Sequence, residues 1–171
     1  MIMPRGQQLL LPVRPAYISA SLVLALALAM LPLGRVPWMP DILMVVLAFW
    51  GLHQPLRVGM GIAFGLGLCM DVQQSSLLGQ HALSYAVLMY GVVKTHRRLD
   101  WYSALSQAPL MLGIFALAHL VQVVIGVLSG SALPGWSVLV APCLAALLWA
   151  PVSWILLAPQ RKAPDRTEKR S

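Results

Sequence analysis

Long apolar runs separated by short polar clusters dominate the chain. Backbone groups in hydrocarbon must be hydrogen-bonded within their own segment, so each run is expected to be an α-helix. A helix needs about 20 apolar residues to cross the core of a bilayer. The pattern predicts an all-α, polytopic membrane bundle with six transmembrane helices, near residues 16–33, 36–53, 56–72, 75–94, 104–128 and 136–158.

The second and third runs are the short ones, since their apolar parts cover only residues 40–52 and 56–70. Three explanations stay open. The bilayer is locally thinned, the spans borrow flanking polar residues, or the two runs form a re-entrant hairpin. The first run, in contrast, is too long for the apolar part of a signal peptide, and no small-x-small cleavage site follows it. We expect it to be retained as the first helix.

Composition agrees with a membrane protein. Hydrophobic residues make up 59% of the chain and charged residues only 10%, whereas soluble domains carry about 25% charge. Residues 1–158 form one predicted bundle, and the basic tail 159–171 is expected to be disordered and to rest on anionic lipid. The net charge of +7 does not indicate nucleic acid, because the basic residues flank apolar runs instead of forming a stripe with aromatics.

The distribution of basic residues predicts the orientation. With six crossings and a cytoplasmic N-terminus, eleven of the twelve Lys and Arg residues lie on the cytoplasmic side and only Arg35 lies outside. If the second and third runs did not cross, Arg57 would also lie outside, and both termini would still be cytoplasmic. Tryptophans near the ends of the runs, Trp50 among them, suggest an interfacial aromatic belt.

Two acids, Asp41 and Asp71, stand at the predicted outer ends of helices. Asp41 follows Pro40 at a helix start, where a carboxylate can cap free N–H groups. Asp71 stands at a helix end, where the helix dipole disfavours it. It therefore needs an ion pair, for which Arg35 is a candidate, or a hydrogen-bonded loop; a contact with a ligand or partner is the alternative.

The third run carries two rows of small residues, Gly61–Gly65 and Gly59–Ala63–Gly67. Small residues allow close helix packing in lipid, so we expect this helix in the middle of the bundle. Pro55 and Arg57 form the turn before it.

Other polar residues inside apolar runs need hydrogen-bond partners. His119 and Gln122 share a face of the fifth run, where an interhelical hydrogen bond, a polar cavity or a proton relay would explain them. Gly79 suggests a special turn, and His81 an interfacial hydrogen bond. Cys69 and Cys143 are expected to be packed thiols. The sequence shows no catalytic set, metal-ligand cluster or cofactor motif.

Four segments together resemble one family. They are W-M-P-D, F-W-G-L-H-Q-P-L-R-V-G-M-G, F-G-L-G-L-C-M-D-V and L-L-G-Q-H-A-L. At these spacings they resemble MreD, the rod shape-determining membrane protein family of bacteria. The family's motif positions correspond to Trp38, Pro40, Asp41, Trp50, Pro55, Arg57, Gly59, Gly67, Asp71, Gly79 and His81.

The resemblance implies a component of the cell-elongation machinery in the inner membrane, with no enzymatic activity and no cofactor. Implied partners are MreC first, then MreB, the RodA polymerase and a penicillin-binding transpeptidase. The implied fold is similar to the six-helix substrate-binding subunits of energy-coupling-factor transporters.

Two functions follow from these expectations. A scaffold would pack against partner helices, and its outer Asp41–Asp71 end would dock MreC. A small-molecule or lipid-precursor binder would instead need an outward cavity lined by Asp71, His81 or His119.

Overall fold

The regular secondary structure of the described part of the chain is entirely helical. A computed structural model describes residues 14–31, 39–99, 104–132 and 135–158, and within these ranges it has six α-helices, one short 3₁₀ helix and no strand. The helices are α1 (Pro15–Ala29), α2 (Ile42–His53), α3 (Met60–Gln74), α4 (Gln80–Leu99), α5 (Ala104–Leu128) and α6 (Val140–Leu157), with the 3₁₀ helix Trp136–Leu139 before α6. The all-helical class is therefore confirmed. Trp38, Arg35 and the tail 159–171 lie outside the described residues.

The third and fourth helices begin later than the predicted spans, because turns occupy the expected starts. The N–H groups of Arg57 and Val58 both donate to the carbonyl of Gln54, at 3.0 Å, so the chain turns after Pro55. Consequently α3 begins at Met60 instead of residue 56. Ser75 and Gly79 adopt the left-handed region, with φ of 49° and 104°, and α4 begins after them at Gln80 instead of residue 75.

The centre of the bundle is α2, where residues 43–52 are all buried. Around it lie α1, α4 and α6, while α5 lies between α4 and α6, and α3 packs chiefly on α4. The expectation that α3 occupies the middle is wrong. Of its two small-residue rows, only the one with Ala63 and Gly67 is buried, and a Cβ at Gly61 or Gly65 would meet no atom within 4 Å.

Tryptophan side chains link helices inside the core. Trp50 is fully buried, and its indole N–H donates to Ser21 of α1 at 2.8 Å, so its expected place in an interfacial belt is wrong. The indole N–H of Trp149 donates to Gln107 of α5 at 3.1 Å. Such bonds hold helices together where lipid provides no hydrophobic drive for association.

Many large apolar side chains are exposed on the outer surface of the described helices. Trp136 and Trp154 are 88% and 66% exposed, and both cysteines are exposed, so the expectation of packed thiols is wrong. By length and hydropathy, Ser106–Leu128 and α6 are each able to cross a membrane, whereas α1 and α2 are apolar but shorter. Six crossings stay a prediction.

Candidate functional site

The backbones of α3 and α4 touch at Gly67. A Cβ at this position would lie 2.6 Å from the Ala82 nitrogen and 2.8 Å from the His81 carbonyl carbon. Real side chains do not tolerate such distances to backbone atoms, so only glycine fits. This contact brings the last turn of α3 against the first turn of α4.

Asp71, one turn after Gly67, is 1% exposed, and its carboxylate points at the start of α4. Oδ2 accepts from the N–H groups of Gly79 at 2.8 Å and Ala82 at 3.3 Å, and Oδ1 accepts from the N–H of His81 at 2.7 Å. The first N–H groups of a helix have no partners within it, and the helix dipole there favours negative charge. Asp71 thus caps α4 from a neighbouring helix.

Two side chains complete the environment of Asp71. The His81 Nδ1 lies 2.8 Å from Oδ1, and the Ser76 hydroxyl donates to the same oxygen at 3.0 Å. Because an ionised carboxylate only accepts, Nδ1 carries the hydrogen of this bond. The groups that offset the unfavourable position of Asp71 are therefore the start of α4 and His81. The sequence signal for the closeness of Asp71 and the start of α4 is the short connection from residue 75 to 79, which places the end of α3 beside the start of α4.

Asp41 makes a second link to α4. Its side chain caps α2 by accepting from the N–H of Met44 at 3.1 Å. It also accepts from the hydroxyl of Tyr85, whose side chain is fully buried. Sequence reasoning missed Tyr85. The signal was its position one turn after His81, on the same face of α4.

A third link joins α4 to α5. The Ser84 hydroxyl donates to the carbonyl of Ala118 at 2.8 Å, and the Gln80 amide donates to the carbonyl of Gln122 at 3.0 Å. The expected interhelical bond from the side chains of His119 and Gln122 is not the one observed. The Nδ1 of His119 bonds to the carbonyl of Phe115 on its own helix at 3.1 Å, and Gln122 contributes its backbone.

One and a half turns of α4 therefore bind three other helices. We call this cluster the α4 junction; it consists of Asp41, Asp71, Gln80, His81, Ser84 and Tyr85. Of the predicted motif residues, the structure places Asp41, Gly67, Asp71, Gly79 and His81 at or beside the junction.

Of the other described motif residues, Pro40 lies at the junction end of α2, and the rest lie at the opposite end of α2 or in the turn into α3. Trp50 lies in the last turn of α2, Pro55 and Arg57 lie in the turn after it, and Gly59 is the N-cap of α3. Pro40 is half-buried immediately before Asp41. The motif residues thus fall into two separate groups, one at the α4 junction and one around the turn between α2 and α3.

The contacts of the α4 junction are hydrogen bonds that join helices. Asp71 and His81, at 1% and 8% exposure, hydrogen-bond to each other. Among the described residues, no three His, Cys, Asp or Glu side chains are grouped so that they could hold a metal ion. What this arrangement does is hold α2, α3 and α5 onto α4.

Comparisons with known proteins agree with the motif. The family described as rod shape-determining protein MreD matches residues 13–158. The rod shape-determining protein MreD of Haemophilus influenzae is 30% identical over 132 residues, which cover 77% of this chain and 80% of that protein. No solved structure matches significantly, so similarity to energy-coupling-factor subunits stays a prediction. The match over most of the chain shows that it belongs to the MreD family of rod shape-determining membrane proteins.

Proposed function

We propose that this protein is a non-enzymatic, multi-pass scaffold of the cell-elongation machinery in the bacterial inner membrane. It supports side-wall peptidoglycan synthesis by holding a partner, MreC first, in a complex that also contains MreB, RodA and a penicillin-binding transpeptidase. Membership of a rod shape-determining family supports the cellular role. We further propose that all six helices cross the membrane, with both termini in the cytoplasm and the α4 junction on the outer side, on the strength of the Lys and Arg distribution.

The observation that supports the scaffold proposal is the hydrogen bonding of the Asp71 carboxylate. Its carboxylate makes five hydrogen bonds within 3.3 Å, to Ser76, Gly79, His81 and Ala82. A group so fully engaged holds helices in place, and a partner is recognised instead by surfaces that the bundle leaves open. Asp71 itself does not reach such a surface.

The outer face of α3 is the surface we assign to the partner. A Cβ at Gly61 or Gly65 would meet no atom within 4 Å, and Ile62 and Phe64 beside them are each 43% exposed, so we treat this face as a shallow groove. A groove of small residues between larger apolar ones allows a second helix to approach closely in lipid. The single transmembrane helix of MreC is the proposed occupant.

The experiment fills the groove with side chains that are not expected to disturb the fold. The double variant G61L/G65L adds side chains where there is open space, so the protein is expected to keep its thermal stability but lose co-purification with MreC and fail to restore rod shape. Gly113 on α5 is a matched control, because a Cβ there also meets no atom within 4 Å. G113L is expected to behave as the wild type. Normal MreC recovery with G61L/G65L would reject α3 as the docking face.

A further inference from the structure

We propose that the hairpin of α3 and α4 holds a locally thinned bilayer, with anionic lipid headgroups on its Arg57–Lys94 side. The inference rests on the proposed six-crossing topology and adds to it the kind of lipid surface that the chain takes. It also says what occupies the α3 face before a partner helix arrives.

The apolar band of the hairpin is short, and described polar residues bound it at both ends. At 1.5 Å per residue, the 15 residues of α3 span about 22 Å, against about 30 Å for the hydrocarbon core. Before α3 comes the turn with Arg57, and after it come Ser75 and Ser76. On α4, the apolar residues run from Ala82 to Val93, about 18 Å between His81 and Lys94.

The exposed apolar band of α5 is taller. Exposed leucines on α5 extend from Leu110 to Leu128, a band of about 27 Å. A long helix can reduce its height by tilting, but a short one cannot increase it. The shortness of α2 has no such effect, because its residues 43–52 are buried and do not face lipid.

The α4 junction prevents the hairpin from lengthening. Extending α3 past Gln74 would require Ser75 to leave its left-handed conformation and would pull Gly79 and His81 away from Asp71. The bilayer must adapt instead, since a helix shorter than the hydrocarbon core thins the membrane around it or is shielded by another protein.

Charge complementarity identifies the lipid side. α3 and α4 are antiparallel neighbours, so Arg57 before α3 and Lys94 near the end of α4 lie at the same end of the hairpin, and both are exposed. Long cationic side chains at this position reach towards phosphate groups. Docking of a partner helix on α3 would displace the strained lipid, which adds to the drive for assembly.

Nitroxide labels can measure the thickness directly. In a C69A/C143A background, single cysteines at Met60 and Val72 on α3, and at Leu110 and Leu128 on α5, carry the label. The purified protein is reconstituted in phosphatidylcholine–phosphatidylglycerol vesicles with 14:1, 18:1 or 22:1 chains, and power saturation gives each label's depth. We expect the labels at Met60 and Val72 to lie at opposite polar boundaries in all three lipids, about 18 Å apart.

Three results would overturn the proposal. One is a label at Met60 or Val72 that sinks into the hydrocarbon of 18:1 vesicles. Another is lost oxygen accessibility at Val72 with self-association, which would mean that a second copy covers α3. Labels at equal depth would reject the crossing of α3 itself, an outcome separate from the MreC test, which uses no vesicles.

A charge variant tests the same idea through stability. R57L/K94L lengthens the apolar band, and R57K/K94R is the matched control that keeps both charges. The wild type and R57K/K94R are expected to have their highest Tm in 14:1 vesicles, and R57L/K94L in 18:1 vesicles. The same chain-length optimum for all three would count against thinning, and if R57L/K94L fails to fold, the label depths decide.

Discussion

Removing the Asp71 carboxylate tests whether one acid holds the α4 junction together. In D71A, the N–H groups of Gly79, His81 and Ala82 lose their acceptor, as do the Ser76 hydroxyl and the His81 ring. Leaving one buried donor unsatisfied costs about 1–3 kcal/mol, although interhelical bonds in membranes average only about 0.6 kcal/mol. We expect D71A to lower the free energy of unfolding by about 3 kcal/mol, because several buried donors lose their acceptor at once.

The variant D71N separates charge from shape. Its amide oxygen still accepts from one set of donors, but its NH₂ group faces the remaining N–H groups, so about 2 kcal/mol should be lost. D41N is the matched control, because asparagine caps helices as well as aspartate does, and when its carbonyl oxygen accepts from Met44 its NH₂ group can donate to the Tyr85 hydroxyl oxygen. Its expected loss is below about 1 kcal/mol.

Steric-trap unfolding in micelles measures these free energies, and a thermal scan with a fluorescent reporter gives the order of the variants. Charge reversal at Asp71 is expected to reduce MreC recovery, but only together with this loss of stability. A D71N protein as stable as D41N would refute the assignment of Asp71 as the cap of α4. A double-mutant cycle with D71A, H81A and the double variant then gives the interaction free energy between the Asp71 carboxylate and the His81 imidazole.

Two further predictions concern the contacts beside Asp71. G67A should lower the free energy of unfolding by about 1–3 kcal/mol, because its methyl group would overlap the backbone of Ala82, while G65A on the open face should change it by less than about 0.5 kcal/mol; equal thermal scans for the two would contradict the close approach. Y85F removes the hydroxyl that donates to Asp41 and should cost about 0.6–1.7 kcal/mol in steric-trap unfolding; an additive effect of Y85F and D41A would show that the two groups do not interact.

The pattern of apolar and polar residues predicted where the helices lie along the chain better than it predicted how they pack in the bundle. Apolar runs and helix breakers were sufficient for the class, and α5 lies at the predicted residues 104–128. Position in the bundle was not predictable in the same way, since an apolar residue suits lipid and protein core equally well. The glycines of α3 favoured a central position, but Gly67 packs against backbone while Gly61 and Gly65 face open space.

For the candidate site as well, some residues could be predicted from the sequence but their hydrogen-bond partners could not. Asp71 and His81 stood out because polar residues in apolar runs need partners, and Asp41 stood out as a cap. Their actual partners were harder to predict, because four of the five bonds to Asp71 come from backbone N–H groups or a serine, which the identity of the residues does not indicate. Tyr85 was missed since tyrosine in a membrane helix is ordinarily read as an interfacial residue.

The enclosure of α2 changes how substitutions in this protein should be read. A hydropathy scale ranks Leu, Ile and Phe as near equivalents, and on a lipid-facing helix they are. Within residues 43–52, where side chains meet other side chains on every side, volume and branching decide instead. A mutational scan of the whole chain should therefore show one helix whose tolerance follows side-chain size, surrounded by helices whose outward positions follow polarity.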